Sequence, residues 1–119
     1  MKDKRKMFKK YPNPYPEVDY IIKSTCLEVT FIGMKGDNGK KQSDFAEVTV
    51  EMIPDETIID LKSLKFYFAE FRDELTSYER LINVIFDDID NVFTPKHLTV
   101  SMKTNLRGGI YSELIRSSG

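Results

Sequence analysis

The sequence has one cysteine, Cys26, and one histidine, His97, in 119 residues. A single cysteine cannot form a disulfide within the chain, so we expect a protein of the reducing cytoplasm. A zinc site needs about four cysteine, histidine or carboxylate ligands, and a charge-relay triad needs a well-placed histidine. The sequence therefore predicts neither a metal centre nor serine-type catalysis.

Long apolar runs and an excess of one charge are also missing. No stretch approaches the roughly 18 apolar residues that cross a bilayer, and the formal net charge at neutral pH is -1. A chain with so little net charge has no general electrostatic attraction to nucleic acid or to an anionic membrane. No glycine-rich loop lies at a strand-to-helix junction, which argues against Rossmann or P-loop nucleotide binding. We expect neither a membrane nor a nucleic-acid partner.

The first 17 residues differ in composition from the rest. Lysine and arginine crowd the N-terminus, and three prolines follow between residues 12 and 16. Proline lacks the amide hydrogen of a helix and restricts the residue before it. We interpret residues 1–17 as an extended arm whose basic run is a solvated, mobile tail, and residues 18–119 as a single domain.

Hydrophobic periodicity predicts helices in the middle of this domain. Apolar residues recur at spacings of three and four from Leu61 to Leu75 and again from Ile82 to Val92, as on the buried side of a helix. Acidic residues after Pro54 are expected at the start of the first helix. Thr76 and Glu79 have the spacing of a capping box, which is expected at the start of the second helix.

Strands are predicted on both sides of the helices. Apolar and polar residues alternate over 20–32 and 46–52, across a turn at 34–43, and again over 98–102 and 110–115. The order strand, strand, helix, helix, strand, strand predicts a two-layer α+β fold. It would be a four-stranded antiparallel sheet with two helices inserted between strands 2 and 3. Several apolar residues of the predicted strands must lie on the sheet face that the helices do not cover, and this indicates self-association.

Several polar residues are candidates for a site, and each also has an ordinary structural explanation. Lys62 and Lys65 belong to a basic helical face, which is usually solvated. Glu79 can cap its own helix, and Asp44 can satisfy loop amides. The glycines after Arg107 can simply form a turn.

Four segments taken together resemble the QueF family, the NADPH-dependent 7-cyano-7-deazaguanine reductases of queuosine biosynthesis. They are Ser43–Ala46, Asp60–Tyr67, Phe71–Asn83 and Arg107–Ile110. The resemblance spans about residues 19–110, nearly the whole predicted domain. It implies the tunnelling fold, a two-layer α+β fold whose subunits assemble into barrels with active sites between them.

The resemblance implies a site at the predicted helices. Lys62, Ser63 and Lys65 match the cofactor signature of the family and would bind the phosphates of NADPH. Glu79 matches the glutamate that holds the guanine-like edge of the substrate, where a carboxylate accepts two parallel hydrogen bonds. Tyr78 stands where the family has a histidine and is expected to contact the same ligand.

The resemblance also assigns residues on the predicted strands. Asp44, in Asp-Phe-Ala, matches the aspartate that acts as proton donor in the family. Arg107 and Gly108 match the Arg-Gly-Gly sequence near the last strand and are assigned to cofactor binding. The expected ligands are thus a guanine-like heterocycle and NADPH, bound by a homo-oligomer.

The resemblance breaks at the position of the family's nucleophilic cysteine, which is Gly33 here. In that family a thiolate adds to the nitrile and forms a covalent thioimide, which then accepts hydride. Glycine has no side chain to make this bond. Cys26 lies seven residues upstream, about 23 Å along an extended strand, and its odd offset predicts that it points to the opposite sheet face.

Three functions stay open at this point. The first is a QueF-like protein of 7-deazaguanine and tRNA-modification metabolism that binds a guanine-like heterocycle and NADPH without reducing a nitrile. The second is a catalytically silent tunnelling-fold binding or assembly protein. The third is another reaction on a similar heterocycle, but relatives that transfer an amino group to the same nitrile also look to use a cysteine.

Overall fold

The computed structural model describes residues 1–35 and 38–119. In chain order the elements are a 3-10 helix Arg5–Met7, β1 (Lys10–Pro12), β2 (Ile22–Lys35), β3 (Lys41–Ile53), β4 (Thr57–Ile59), α1 (Leu61–Ala69), α2 (Tyr78–Phe93), β5 (His97–Thr104) and β6 (Glu113–Ser117). The main antiparallel sheet has the order β2-β3-β5-β6, and β1 pairs with β4 in a separate small sheet. The predicted α+β fold, with both helices between the second and third strands of the main sheet, is confirmed. The predicted turn at 34–43 lies partly outside the described residues.

Both helices pack on one face of the main sheet. Alternate residues of the central strands β3 and β5 are buried against them: Ala46, Val48, Val50, Met52, Leu98, Val100 and Met102. Burying each of the larger side chains contributes about 1.5–3 kcal/mol. Within this core the Tyr67 hydroxyl donates a hydrogen bond of 2.6 Å to Asp88, so the buried phenol keeps a polar partner.

The first helix begins at Leu61, where the apolar spacing starts but later than the acidic residues after Pro54 predict, and it ends at Ala69, earlier than the spacing predicts. Asp60 caps α1 by accepting a hydrogen bond from the backbone N–H of Ser63. Thr57–Ile59, expected at the start of this helix, instead forms β4 and pairs with β1. Leu61 and Leu75, expected on the buried stripe, are 66% and 52% exposed. The prediction failed because β4 depends on a partner strand far away in sequence.

The second helix starts one residue later than the predicted capping box. Ser77 is the N-cap, and its hydroxyl accepts a hydrogen bond from the backbone N–H of Arg80. The backbone N–H of Thr76, which a capping box would bond to the Glu79 side chain, instead donates to the carbonyl of Ile32 on β2. Glu79 is thus the second residue of α2, and the capping explanation for this glutamate is wrong.

The N-terminal run is packed on the domain through Lys4 and Phe8 and is not a free tail, although its other basic side chains are exposed. Lys4 is only 3% exposed and forms an ion pair of 2.7 Å with Glu74. Phe8 stacks on Tyr67 with ring centroids 4.2 Å apart. The arm therefore covers the outer side of the helices, and local charge could not reveal this because the partners lie more than 50 residues away.

Two irregularities in β2 change which residues share a face. The register with β3 shifts between Cys26 and Val29 and again between Ile32 and Met34. Each shift marks an extra residue in β2, as in a β-bulge, and reverses the alternation beyond it. Cys26 pairs with the buried Val48 and so faces the helices. The prediction that Cys26 points to the opposite face is wrong.

Candidate functional site

A charged pair lies near the end of the β2–β3 hairpin. Asp44 is directly opposite Phe31 in the sheet and faces the helical layer, with 8% of the residue exposed. Its Oδ2 lies 3.3 Å from Nη2 of Arg107, and its Oδ1 accepts a hydrogen bond of 2.8 Å from the N–H of Phe45. The nearby negative charge raises the pKa of Arg107. A nearly buried carboxylate is thus balanced by an exposed guanidinium.

Gly33 packs directly on this carboxylate. A Cβ atom at residue 33 would lie 3.1 Å from Cβ of Asp44 and 3.3 Å from its Oδ2. Position 33, to which the family resemblance assigns the nucleophile, is therefore in contact with Asp44. Any side chain there would require Asp44 to move by a few tenths of an ångström.

Tyr78, the first residue of α2, joins this group. Its ring contacts Phe31 edge to face, with centroids 5.3 Å apart, and its hydroxyl accepts a hydrogen bond of 3.3 Å from the N–H of Asn105. Burial and the Asp44 carboxylate raise the pKa of Tyr78. The structure therefore brings together three predicted site residues, Asp44, Tyr78 and Arg107. Nothing in the sequence indicated the contributions of Phe31 and Asn105.

Glu79 follows Tyr78 in α2 and is exposed. It lines an open groove between α2 and β6 together with Ile82, Asn83, Leu114, Ile115 and Arg116. The groove combines a carboxylate with apolar walls, which suits a flat heterocycle with N–H donors at one edge.

The glycines after Arg107 form a tight turn. Gly108 and Gly109 both have positive φ, and the backbones of Arg107 and Ile110 exchange two hydrogen bonds across them. Two positive φ angles are the signature of a type I′ hairpin turn, which favours glycine at both positions. The turn presents the Arg107 side chain toward Asp44.

The predicted cofactor residues of α1 do not all face one surface. The Ser63 hydroxyl is buried, where it donates to Asp60 and accepts from the N–H of Lys9 in the arm. Lys62 lies over the ring of Phe66, 5.9 Å from its centroid. Lys65 instead lines a groove between α1 and β2 with Phe68, Arg72 and residues of β2 that include Cys26 and Thr30.

Cys26 belongs to this α1–β2 groove and not to the Asp44 group. Its register partner, Val48, is four residues from Asp44 along β3, a separation of about 13 Å. The thiol is directed to the carbonyl of Glu28, 3.6 Å away. The lone cysteine is therefore too far from Asp44 to occupy the place of a side chain at Gly33.

Residues 1–35 and 38–119 contain neither a metal-binding cluster nor a membrane-spanning helix. No group of three or more histidine, cysteine and carboxylate side chains that could hold a metal ion is found there. In the same residues no helix has the length and apolar character needed to span a membrane.

Comparison with solved structures defines the fold class. The crystal structure of the archaeosine synthase QueF-Like in the apo form matches with a TM-score of 0.68, over 83% of this chain and 93% of that chain. The sequence identity is 18%, so this likeness concerns the fold alone. The chain has the α+β tunnelling fold.

Sequence comparison then gives the family. The family model described as QueF-like protein matches residues 43–119. The NADPH-dependent 7-cyano-7-deazaguanine reductases of Thermomicrobium roseum and Chlorobium luteolum are 37% and 40% identical over 107 residues. These alignments cover 90% of this chain, and 80% and 89% of the two relatives. The chain belongs to the QueF family.

The coupling between Asp44 and Tyr78 can be measured by titration. We expect Asp44→Asn to lower the pKa of Tyr78, because the amide removes a negative charge that disfavours the phenolate. The measurement is an NMR titration of the tyrosine ring carbons, with Tyr78 assigned from a Tyr78→Phe variant. Since the folded-state pKa is raised, the stability linked to this group is present below the pKa of an unfolded tyrosine, about 10, and is lost as the pH rises through the folded-state value.

The matched control for this titration is Asp19→Asn. Asp19 pairs with Lys96 at a distance of 2.8 Å, away from the Asp44 group, so the pKa of Tyr78 should stay at its native value. An unchanged Tyr78 pKa in Asp44→Asn would contradict the proposed coupling.

Proposed function

We propose that this QueF family member binds a guanine-like heterocycle of 7-deazaguanine metabolism, the pathway of tRNA modification, and does not reduce a nitrile. The observation that carries the proposal is the contact between Gly33 and Asp44, because glycine supplies no thiol beside the carboxylate. The relatives are named as reductases of 7-cyano-7-deazaguanine, and these names support a ligand of the 7-deazaguanine class.

The ligand would lie between the Asp44 group and the groove of Glu79. A carboxylate at the helix surface can accept two hydrogen bonds from the ring N–H and exocyclic amine of a guanine edge. Tyr78, between the two, offers an aromatic ring against which a planar base can pack. Asp44 would face the substituent at position 7 of the heterocycle.

NADPH is the proposed second ligand, as in the names of the relatives. The α1–β2 groove supports it, because Lys65 and Arg72 line the same open surface with the apolar side chain of Phe68. Two cations can bind phosphates while an apolar floor packs on a ring. Lys62, Arg107 and Gly108 are further candidates, whereas the Ser63 hydroxyl already has two protein partners.

The missing thiol restricts the chemistry that this site can perform. Addition of a thiolate to the nitrile carbon creates the covalent intermediate in the family, and neither glycine nor a carboxylate can replace this step. Cys26 cannot take over from about 13 Å away. Binding of the heterocycle without covalent capture is therefore the proposed activity.

We propose that the site lies between subunits of a cytoplasmic homo-oligomer. Large apolar side chains near the Arg107 turn and on β6 are more than half exposed: Leu106 62%, Ile110 69%, Tyr111 60% and Ile115 66%. Exposed apolar groups this close together favour association with another chain. The edge strands β2 and β6 have free backbone groups for pairing with a neighbouring copy.

Calorimetric titration with 7-cyano-7-deazaguanine tests the heterocycle site. We expect the native chain to bind and Glu79→Ala to bind about 10- to 100-fold more weakly, since hydrogen bonds to a charged group contribute about 1.5–3 kcal/mol. Glu17→Ala, an exposed glutamate of the arm, should bind like the native chain. Equal affinity in Glu79→Ala would contradict the role of Glu79.

Titration with NADPH, followed by its fluorescence, tests the α1–β2 groove. We expect Lys65→Ala to weaken binding several-fold and to reduce its salt dependence, because one phosphate contact is lost. Lys23→Ala, an exposed lysine of β2, is the control and should leave binding unchanged. NADPH binding that is equal in native protein and Lys65→Ala would remove this groove from the proposal.

A catalytically silent assembly protein is the second candidate. The buried roles of Ser63 and the turn-forming roles of Gly108 and Gly109 favour it, because these family-like residues serve the fold here. A native chain that binds no 7-deazaguanine and no NADPH would establish this alternative over the first.

A further inference from the structure

The connection between α1 and α2 is attached to β2 beside the candidate site. The N–H of Ile32 donates to the carbonyl of Glu74 at 2.9 Å, and the N–H of Thr76 donates to the carbonyl of Ile32 at 3.0 Å. Leu75 thus forms a parallel bridge with Ile32. Ile32 is the residue before Gly33, so this short pairing sets where the helix that follows starts relative to the Asp44 group.

The N-terminal arm holds the same connection from its other side. Nζ of Lys4 donates to Oε2 of Glu74 at 2.7 Å, and the backbone N–H of Lys2 donates to the same oxygen at 3.0 Å. Nζ of Lys4 also lies 4.7 Å from the centroid of the Phe71 ring and donates to the carbonyl of Lys2. The hydrogen bond from Lys4 lowers the pKa of Glu74.

We infer that Lys4 is a positioning residue: through Glu74 it holds the connection between α1 and α2 against β2, and so sets the start of α2 beside Asp44. A lysine that is 3% exposed has lost most of its contact with water, and its ion-pair partner and hydrogen-bond acceptors offset the cost of this burial. The groups that surround the Lys4 ammonium all lie on the arm itself or on residues 71–74. The hydrogen bonds of Lys4 therefore fix the position of residues 71–74. The backbone connects this segment directly to Thr76 and to the cap of α2, so their positions are fixed as well.

Amide hydrogen exchange of Lys4→Met tests this inference without a ligand. Methionine keeps the length and apolar stem of the side chain but removes the ammonium group. We expect the amides of Ile32 and Thr76 to exchange at least about tenfold faster, because a segment that opens locally exchanges independently of the core. The amide of Val100 in the central strand β5 should keep its native rate.

Arg5→Met is the matched control. Arg5 belongs to the same arm, but it is exposed and pairs with Asp3 and Asn91; its replacement should leave the amides of Ile32 and Thr76 at their native rates. Unchanged exchange of these two amides in Lys4→Met overturns the inference. So does an increase equal to that of Val100, which would mean general destabilisation.

Glu74→Gln decides the matter if Lys4→Met does not fold. Its amide oxygen still accepts hydrogen bonds from the arm, but the ion pair is gone, so the same two amides should exchange faster by a smaller factor. Selective acceleration supports the inference, and uniform or absent acceleration overturns it.

Calorimetry with 7-cyano-7-deazaguanine provides a second readout, which rests on the proposed function. We expect the affinity of Lys4→Met to fall about tenfold and that of Arg5→Met to stay native, since a site loses binding when its supporting contacts loosen. Selective exchange with native affinity would overturn the link from Lys4 to the site. If native protein binds no 7-deazaguanine, the proposed function fails, while the exchange comparison still decides the role of Lys4 in holding the connection.

Discussion

The pairing of β2 with β3 is the constraint on which the rest of the site depends. The two strands run antiparallel from Ile22 opposite Met52 to Lys35 opposite Lys41, with one extra β2 residue in the middle of the pairing and another near its hairpin end. The second irregularity places Gly33 against Asp44 on the side that faces the helices. A slip of one residue would turn the Asp44 carboxylate to the other face of the sheet, so the site exists only in this register.

The helical layer meets the hairpin at the same place. Ile32 uses its backbone N–H and carbonyl for the connection that precedes α2, and Tyr78 then packs its ring on Phe31. The β5–β6 turn adds Arg107 from the opposite side. A carboxylate, a phenol and a guanidinium from three parts of the chain thus meet around a residue without a side chain. In the proposed function this group would bind and orient a polar heterocycle, without a thiol that could form a thioimide.

Elements with long, regular patterns could be predicted from the sequence. The apolar stripe of α2 and the alternation in β3 and β5 each reflect burial on one side, which is a local property of the chain. These patterns predicted the order of strands and helices, and that order predicted the α+β fold. The family motifs also led to Asp44, Tyr78 and Arg107, which the structure brings together.

The features that the sequence did not predict correctly depend on contacts between distant segments. Strand β4 forms because β1 pairs with it. The N–H of Thr76, expected to bond to Glu79, is bonded to β2, and Ser77 is the cap of α2. Lys4 looked solvated because Glu74 is 70 residues away. The pattern of polar and apolar side chains predicts the wrong face for Cys26, because it does not reveal the extra β2 residue between Cys26 and Val29.

Intact-protein mass spectrometry is the most direct test of the claim that this chain lacks a nucleophile for the nitrile. The native protein would be incubated with 7-cyano-7-deazaguanine under non-reducing conditions and then denatured before its mass is measured. The proposal that Gly33 occupies the position of the family's nucleophile predicts an unchanged protein mass. A mass increase equal to one ligand, mapped by peptide digestion to Cys26 or to any other residue, would contradict it.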